Sequence, residues 1–189
     1  VPTQGISVSA PNVNVIDFSD GIGDSQHFPV DEFRKVIQKV IRRDGIEAMA
    51  YGDRRGYPPL RDTITHILAS QGLQTSAENI LITTGSQQAI ALVSQLLLEP
   101  GDVILVEKPT YSGALELFKA CGFEPAGIPM DEGGLRIAEL ERLIQQVHPK
   151  MIYSIPNFQN PTGTCLDSQR RRQLIALADR YNLPILEDD

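Results

Sequence analysis

Residues 151–189 constrain the fold of this chain more than any other stretch. Residues 151–155 form a short apolar run of β-formers that Pro156 stops. After Asp167-Ser168 comes a helical pattern that places Leu174, Ile175, Leu177 and Ala178 on one side, and Asn182 follows it. Leu183-Pro184-Ile185-Leu186 then reads as a second strand, running into Glu187, Asp188 and Asp189. Strand, helix, strand in this length is a βαβ unit, so the two strands run parallel and end on the same edge of the sheet. Asn160 follows the first strand and Asp188 the second. Both therefore belong to the edge at which open α/β sheets bind ligands.

Upstream, the same alternation predicts more of the same architecture. Residues 1–15 read as an extended, Pro-containing arm, and Gly21 and Gly23 mark a loop that something approaches closely, or a plain turn. From Pro29-Val30-Asp31 a helix is expected, with Phe33, Val36, Ile37, Val40 and Ile41 on one face and Gly45 at its end. Residues 50–59 are rich in turn formers. Leu60, Ile64, Ile67 and Leu68 then give a second amphipathic helix, closed at Gly72.

The alternation becomes regular from Asn79: a strand at residues 80–83, the turn Gly85-Ser86, and a helix over 87–98 with Ile90, Val93 and Leu97 inward. A strand at 103–106, a helix over 112–121 with Gly122 past its end, a strand at 126–129, a turn at 131–134 and a helix carrying Leu140, Leu143 and Ile144 complete the run. Repeated β and α elements predict an α/β fold, three layers with helices on both faces of a mostly parallel sheet. Residues 1–45 are expected to form an N-terminal arm and first helix, and residues 46–189 part of a larger domain.

Composition narrows the function. A hydrophobic fraction of 41% over 189 residues is enough for a core, and a net charge of −7 argues against a binder of phosphate backbones. The basic run Arg170-Arg171-Arg172 reads as a solvated first helical turn. Cys121 and Cys165 have neither disulfide-framework density nor zinc spacing, so free thiols in a reducing cytoplasm are expected. His27, His66 and His148 lie far apart and predict no metal site, and no apolar run is long enough to span a membrane. The chain starts at Val1 and stops just past a strand, so both ends are expected to be cut.

The residues that follow the strands carry the chemistry. Gly85-Ser86-Gln87 opens a helix, where free N–H groups and the helix dipole favour a phosphate; an ordinary Ser cap explains the same residues. Tyr111 is a flat aromatic able to stack on a ring, or a rim tyrosine. Asn160 offers an amide to a phenolic oxygen, or serves a turn, and Asp188 offers a carboxylate to a ring nitrogen, or simply faces solvent. A phosphate, an aromatic face, a phenolic oxygen and a protonated ring nitrogen occur together in pyridoxal phosphate, whose ring withdraws electrons from a carbanion.

These segments carry a family resemblance. Tyr51-Gly52 through Gly56 with Leu60-Arg61, Thr84-Gly85-Ser86-Gln87-Gln88, Pro109-Thr110-Tyr111, Asn160-Pro161-Thr162-Gly163 and Glu187-Asp188-Asp189 resemble fold-type I, class I/II pyridoxal-phosphate aminotransferases, in order and over nearly the whole chain. The chain is similar both to aminoadipate/kynurenine-type transaminases and to the aminotransferase-like half of MocR-type regulators of the GntR class. Ile16-Asp17-Phe18, Gly21, Asp24 and Phe28-Pro29 lean towards the regulators.

The resemblance implies that Gly85, Ser86 and Gln87 hold the cofactor phosphate, that Tyr111 stacks on the ring, that Asn160 bonds its 3′-oxygen and that Asp188 pairs with its nitrogen. It also implies a homodimer in which Tyr51 reaches the phosphate of the partner subunit, with Gly21 near the substrate carboxylate. In the family a Schiff-base lysine and a carboxylate-binding arginine carry the chemistry, and both are expected beyond residue 189. Of the five lysines, Lys35, Lys39, Lys108, Lys119 and Lys150, only Lys108 stands near a strand end of interest, without the family's setting. The expectation is half a cofactor site on amino-acid chemistry, inert alone. The alternative is an effector-sensing domain whose winged helix, about 70 residues, would precede Val1.

Overall fold

The computed structural model describes residues 27–189, which divide into two compact units, one ending at Asp53 and one spanning Arg54–Asp189. In the first unit, helix α1 covers Val30–Asp44. Asp31 and Glu32 in its first turn and Arg42 and Arg43 in its last complement the helix dipole. Gly45 ends it at φ 58°. The expected stripe forms but stays open among the described residues: Phe33, Val36, Ile37 and Ile41 are all exposed.

The second unit is built on a five-stranded sheet. Its helices and strands are α2 (Pro58–Ser70), α3 (Ser86–Leu97), β1 (Val103–Lys108), α4 (Ser112–Ala120), β2 (Glu124–Asp131), β3 (Gly134–Leu135), α5 (Ile137–Val147), β4 (Met151–Ser154), α6 (Ser168–Tyr181) and β5 (Ile185–Glu187). The strand order is β3-β2-β1-β4-β5, parallel throughout except for the β2–β3 hairpin. Period-two alternation splits the side chains of β1 and β4 between two cores. Ile104, Val106, Met151 and Tyr153 pack with Ile90 of α3 and with Ala114 and Phe118 of α4. Leu105 and Ile152 pack with Leu140 and Ile144 of α5 and Leu174 and Leu177 of α6. Helices thus cover both faces, the three layers expected from the alternation. Phe118 and Tyr153 meet edge to face with centroids 5.4 Å apart.

The structure corrects several local expectations. Residues 80–83 are not a strand of the sheet. Ile80 is extended, and the Ile82 N–H bonds the Arg55 carbonyl at 2.9 Å, but a strand is a property of a ladder and none of the five strands lies alongside. In α3 the buried stripe runs Ile90, Ser94, Leu98, so Leu97 faces out. Steps of four residues rotate the face slightly from the one that Leu97 would need. In α6 the stripe is Leu174, Leu177 and Ala178; Ile175 sits about 100° round the helix from Leu174 and is exposed. In α2, Arg61 is buried and bonds the Ala77 carbonyl at 3.1 Å, whereas Leu60 and Ile67 are exposed. The strand expected at 126–129 extends over Glu124–Asp131.

What positions a site is the order of connections. From β1 the chain crosses through α4 to β2 on one side, then returns through α5 to β4 on the other. The carboxyl ends of β1 and β4 therefore flank a topological switch point, the place at which open α/β sheets bind ligands.

Candidate active site at the switch point

Helix α3 begins at this edge with an N-terminus that no side chain caps. Its first N–H groups are consequently free to meet an anion, with the helix dipole behind them. Gly85, the residue before the helix, adopts φ 133°, which side chains rarely accept. Ser86 and Gln87 are exposed there. The Gln88 side chain accepts from both the N–H and the hydroxyl of Thr84, at 2.7 and 3.0 Å, and so fixes the turn into the helix. Gln87 Nε2 donates to the Gly113 carbonyl at 2.7 Å, which ties the start of α3 to the start of α4.

Tyr111 immediately precedes α4. A Cβ placed on Gly113 would meet the Tyr111 ring at 2.5 Å, so the absence of a side chain there lets the ring lie over the helix start. Tyr111 also packs on the core that contains Tyr153. Tyr153, fully buried at the end of β4, donates its hydroxyl to Asp188 Oδ2 at 2.6 Å. Burial first, then the bond to and the charge of Asp188, raise the Tyr153 pKa far above its ordinary value, with smaller contributions from Glu107 and Tyr111. The phenol is thus a fixed donor, and Asp188 keeps Oδ1 for another partner. Gln87 thus bonds Gly113 beside Tyr111, Tyr111 packs on the core that contains Tyr153, and Tyr153 bonds Asp188.

The loop after β4 closes the other side. Asn160 is exposed and makes no hydrogen bond with its side chain among the described residues. Its neighbours are held firmly. Gln159 is buried, its Nε2 donating to Glu107 Oε2 at 3.1 Å and to the Pro109 carbonyl at 2.9 Å. Gln159 Oε1 accepts from the N–H and the hydroxyl of Thr162, at 3.0 and 2.6 Å. The Asn160–Pro161 and Lys108–Pro109 peptide bonds are both cis. Asn157 Nδ2 donates to Asp189 Oδ1 at 2.7 Å, and Arg171 donates to Asn157 Oδ1 and the Pro156 carbonyl. Asp189 is therefore engaged with the loop, whereas Asp188 stands over Tyr153.

Of the residues singled out from sequence, Gly85, Ser86 and Gln87 stand at the start of α3, Tyr111 at the start of α4, Asp188 after β5 and Asn160 on the loop after β4. Tyr51 belongs to the first unit and is fully exposed; Gly21 lies outside the described residues. Lys108, the lysine nearest the edge, lays its stem along Gly127 on β2, the side of β1 away from β4 and Asp188. Sequence reading missed the roles of Tyr153, Glu107 and Gln159. A charged residue closing the apolar strand Val103–Lys108 was a usable signal for Glu107; nothing in the local pattern distinguishes Tyr153 from a core tyrosine.

The arrangement offers anion-binding N–H groups, an aromatic plate, a carboxylate held by a phenol and an unpaired amide. Comparison with known proteins identifies the family. The family model described as aminotransferase class I and II matches residues 13–189. Aromatic-amino-acid aminotransferase 1 of Thermococcus litoralis is 34% identical over 182 residues, 93% of this chain and 44% of that protein. The HTH-type transcriptional regulator YdfD of Bacillus subtilis, itself uncharacterized, is 32% identical over 98% of this chain and 38% of its own length. Among solved structures, the α-aminoadipate aminotransferase LysN of Thermus thermophilus, complexed with N-(5′-phosphopyridoxyl)-L-leucine, superposes with a TM-score of 0.82 at 34% identity, over 91% of this chain and 43% of that one. The chain spans less than half the length of each of these relatives.

Proposed function

The chain belongs to the class I and II aminotransferase family, and we propose that it forms the N-terminal, cofactor-holding part of a pyridoxal-phosphate-dependent aminotransferase acting on amino acids and 2-oxo acids. The observation that carries this reading is that the uncapped α3 N-terminus is tied to the start of α4, where Tyr111 packs on the core containing Tyr153, whose hydroxyl donates to Asp188. Its chemistry fits the cofactor group by group. The N–H groups at Ser86 and Gln87, approached past Gly85, would take the phosphate. Tyr111 would lie against the ring, and Asn160 would donate an amide N–H to the ring oxygen. Asp188, with one oxygen already satisfied by Tyr153, would accept from the ring nitrogen and keep the proton on it.

When bound, pyridoxal phosphate supplies an electron-withdrawing ring that stabilises charge at the substrate carbon. The chain's own residues bind and orient. Two helix N-termini and a buried phenol give them fixed directions, so little reorganisation is needed when charge develops. Tyr51 is assigned to the phosphate of a partner subunit in a homodimer, and Gly21 to the neighbourhood of the substrate carboxylate. A cytoplasmic setting suits the free Cys121 and Cys165 thiols.

The 189 residues alone are assigned no turnover. Lys119 and Lys150 lie at the opposite edge of the sheet, in the last turn of α4 and before β4; Lys35 and Lys39 belong to the first unit; Lys108 leans to β2. None of the three lysines of the second unit stands by Tyr111 and Asp188. The test uses the full-length protein carrying this chain. Purified with pyridoxal phosphate, it should show cofactor absorbance, a protein-bound adduct after borohydride, and amino transfer from an amino acid to a 2-oxo acid. A full-length protein without cofactor absorbance or adduct overturns the reading.

A second reading rests on the regulator relative, which matches 98% of the chain at 32% identity. In it, the same site is the effector-sensing domain of a MocR/GntR-type transcriptional regulator. Cofactor binding without transamination, with DNA binding altered by an amino acid, would select it.

A further inference from the structure

Glu107 is the one carboxylate among the described residues that is buried in the second unit, 2% exposed, and no Lys, Arg or His pairs with it. A buried charge without a counter-ion is costly unless donors surround it, and here they do. Ser154 Oγ donates to Oε1 at 2.6 Å, the Ile155 N–H is shared between both oxygens at 3.2 and 3.3 Å, and Gln159 Nε2 donates to Oε2 at 3.1 Å. Burial nonetheless outweighs the bonds and pushes the Glu107 pKa above its ordinary value. Such a group would be a liability at a strand end if all it did was fill space; an apolar side chain would fill it without the penalty.

What Glu107 does is fix the orientation of Gln159. An amide can present its oxygen or its NH2 in either direction. With Glu107 and the Pro109 carbonyl both accepting, the NH2 must point inward. The oxygen must then point to Thr162, where it takes both the backbone N–H and the hydroxyl. The Gly163 N–H also bonds the Gln159 carbonyl, and the Gln159 N–H bonds the Thr164 carbonyl. The turn from 159 to 164 is pinned at both ends, and it leaves the Asn160 side chain exposed and without a partner among the described residues.

From this geometry we infer that Glu107 is a positioning residue: through Gln159 it holds the 159–163 turn so that Asn160 presents its amide to the ring oxygen of the cofactor. The inference rests on the proposed role of Asn160. Glu107 touches neither substrate nor cofactor; it acts across one intervening side chain.

The test uses the full-length protein and three substitutions. E107L removes the acceptor, and E107D withdraws it by one methylene while keeping a carboxylate in the cavity. E107Q keeps an acceptor for Gln159 and lets its NH2 meet the Ser154 hydroxyl. In the cofactor-free protein, amide exchange at Thr162 and Gly163 should accelerate about tenfold in E107L and E107D relative to the β4 amides, with E107Q close to the parent. The affinity for pyridoxal phosphate should fall in the same two variants, and neither should weaken it further in an N160A background.

Unchanged exchange at Thr162 and Gly163 in E107D overturns the inference, and so does an affinity loss that adds fully to that of N160A. Should E107L fail to fold, E107D and E107Q decide the matter. An N160A protein that binds the cofactor as well as the parent counts against the cofactor reading instead, and the exchange result then still reports whether Glu107 holds the turn.

Discussion

Towards the carboxyl edge of the sheet, adjacent strands carry acids that are held in opposite ways. Glu107, one residue before the end of β1, lies inside the protein, bonded only to neutral donors. Asp131 closes β2 at the surface, in a two-pronged pair with Arg170 at 2.6 and 3.0 Å. The Arg170 bond holds the Asp131 carboxyl below its ordinary pKa, and Asp131 in turn raises that of Arg170. Burial holds Glu107 above its own. Both clusters staple a loop, but one does so in water and the other out of it. The exposed pair clamps the hairpin that carries β3, and as the solvated one it is the less costly device. The buried cluster lies under the loop that carries Asn160, where a side chain must be held in one direction rather than merely nearby.

The largest expected difference is in stability. Replacing Glu107 with Leu strands the Ser154 hydroxyl, the Ile155 N–H and one Gln159 N–H in the interior, and should cost about 3 kcal/mol in urea unfolding. D131N, at the surface, should leave the midpoint near that of the parent. Equal losses in the two variants would erase the contrast.

Next comes pH, where the two acids should pull in opposite directions. Glu107 has its folded-state pKa raised from 4.5, so its contribution is complete below that value and is lost as pH rises through the folded pKa. The parent should therefore lose stability relative to E107Q on going from acid to neutral pH. Asp131 has its pKa lowered from 3.8, so its contribution is present above that value and is lost as pH falls through the folded one. Relative to D131N, the parent should weaken only in strong acid. Stability curves of parent and variants with the same sign of slope would contradict this.

A smaller effect is expected at the neighbouring strand end. Y153F removes the donor to Asp188 while keeping the ring against Phe118, at about 1 kcal/mol of stability. In the full-length protein it should weaken pyridoxal phosphate binding several-fold, read by fluorescence titration, because Asp188 loses its fixed direction. The smallest effect is that of salt. In 1 M NaCl the residual difference between the parent and D131N should vanish, whereas that between the parent and E107L should not, since screening reaches exposed charges and not buried ones.

Much of the fold could be read from residue order because it depends on short-range rules. Proline and glycine punctuation marks the ends of α1 and α4, and short apolar runs against period-3.6 patterns separate β1 and β4 from α5 and α6. The failures are equally specific. Residues 80–83 have the composition of a strand, yet strand identity needs a hydrogen-bonded neighbour. Ile175 has the hydrophobicity of a core residue, yet lies one step off the buried stripe. At the site, Ser86, Tyr111, Asn160 and Asp188 could be picked out because each follows a strand end or opens a helix. Tyr153 and Gln159 could not, because their roles come from partners 35 and 52 residues away.

The sequence by itself determined the βαβ order, and with it the parallel strands, the shared carboxyl edge and the membership of the aminotransferase family. The tertiary structure decided which way the side chains at that edge are held. It set the phenol of Tyr153 against Asp188, placed Glu107 where no cation reaches it, and made the Gln159 amide choose one orientation. The physical reason is that a strand's position on an edge follows from chain connectivity, whereas the direction of a donor or acceptor is fixed only by partners that packing brings from elsewhere in the chain.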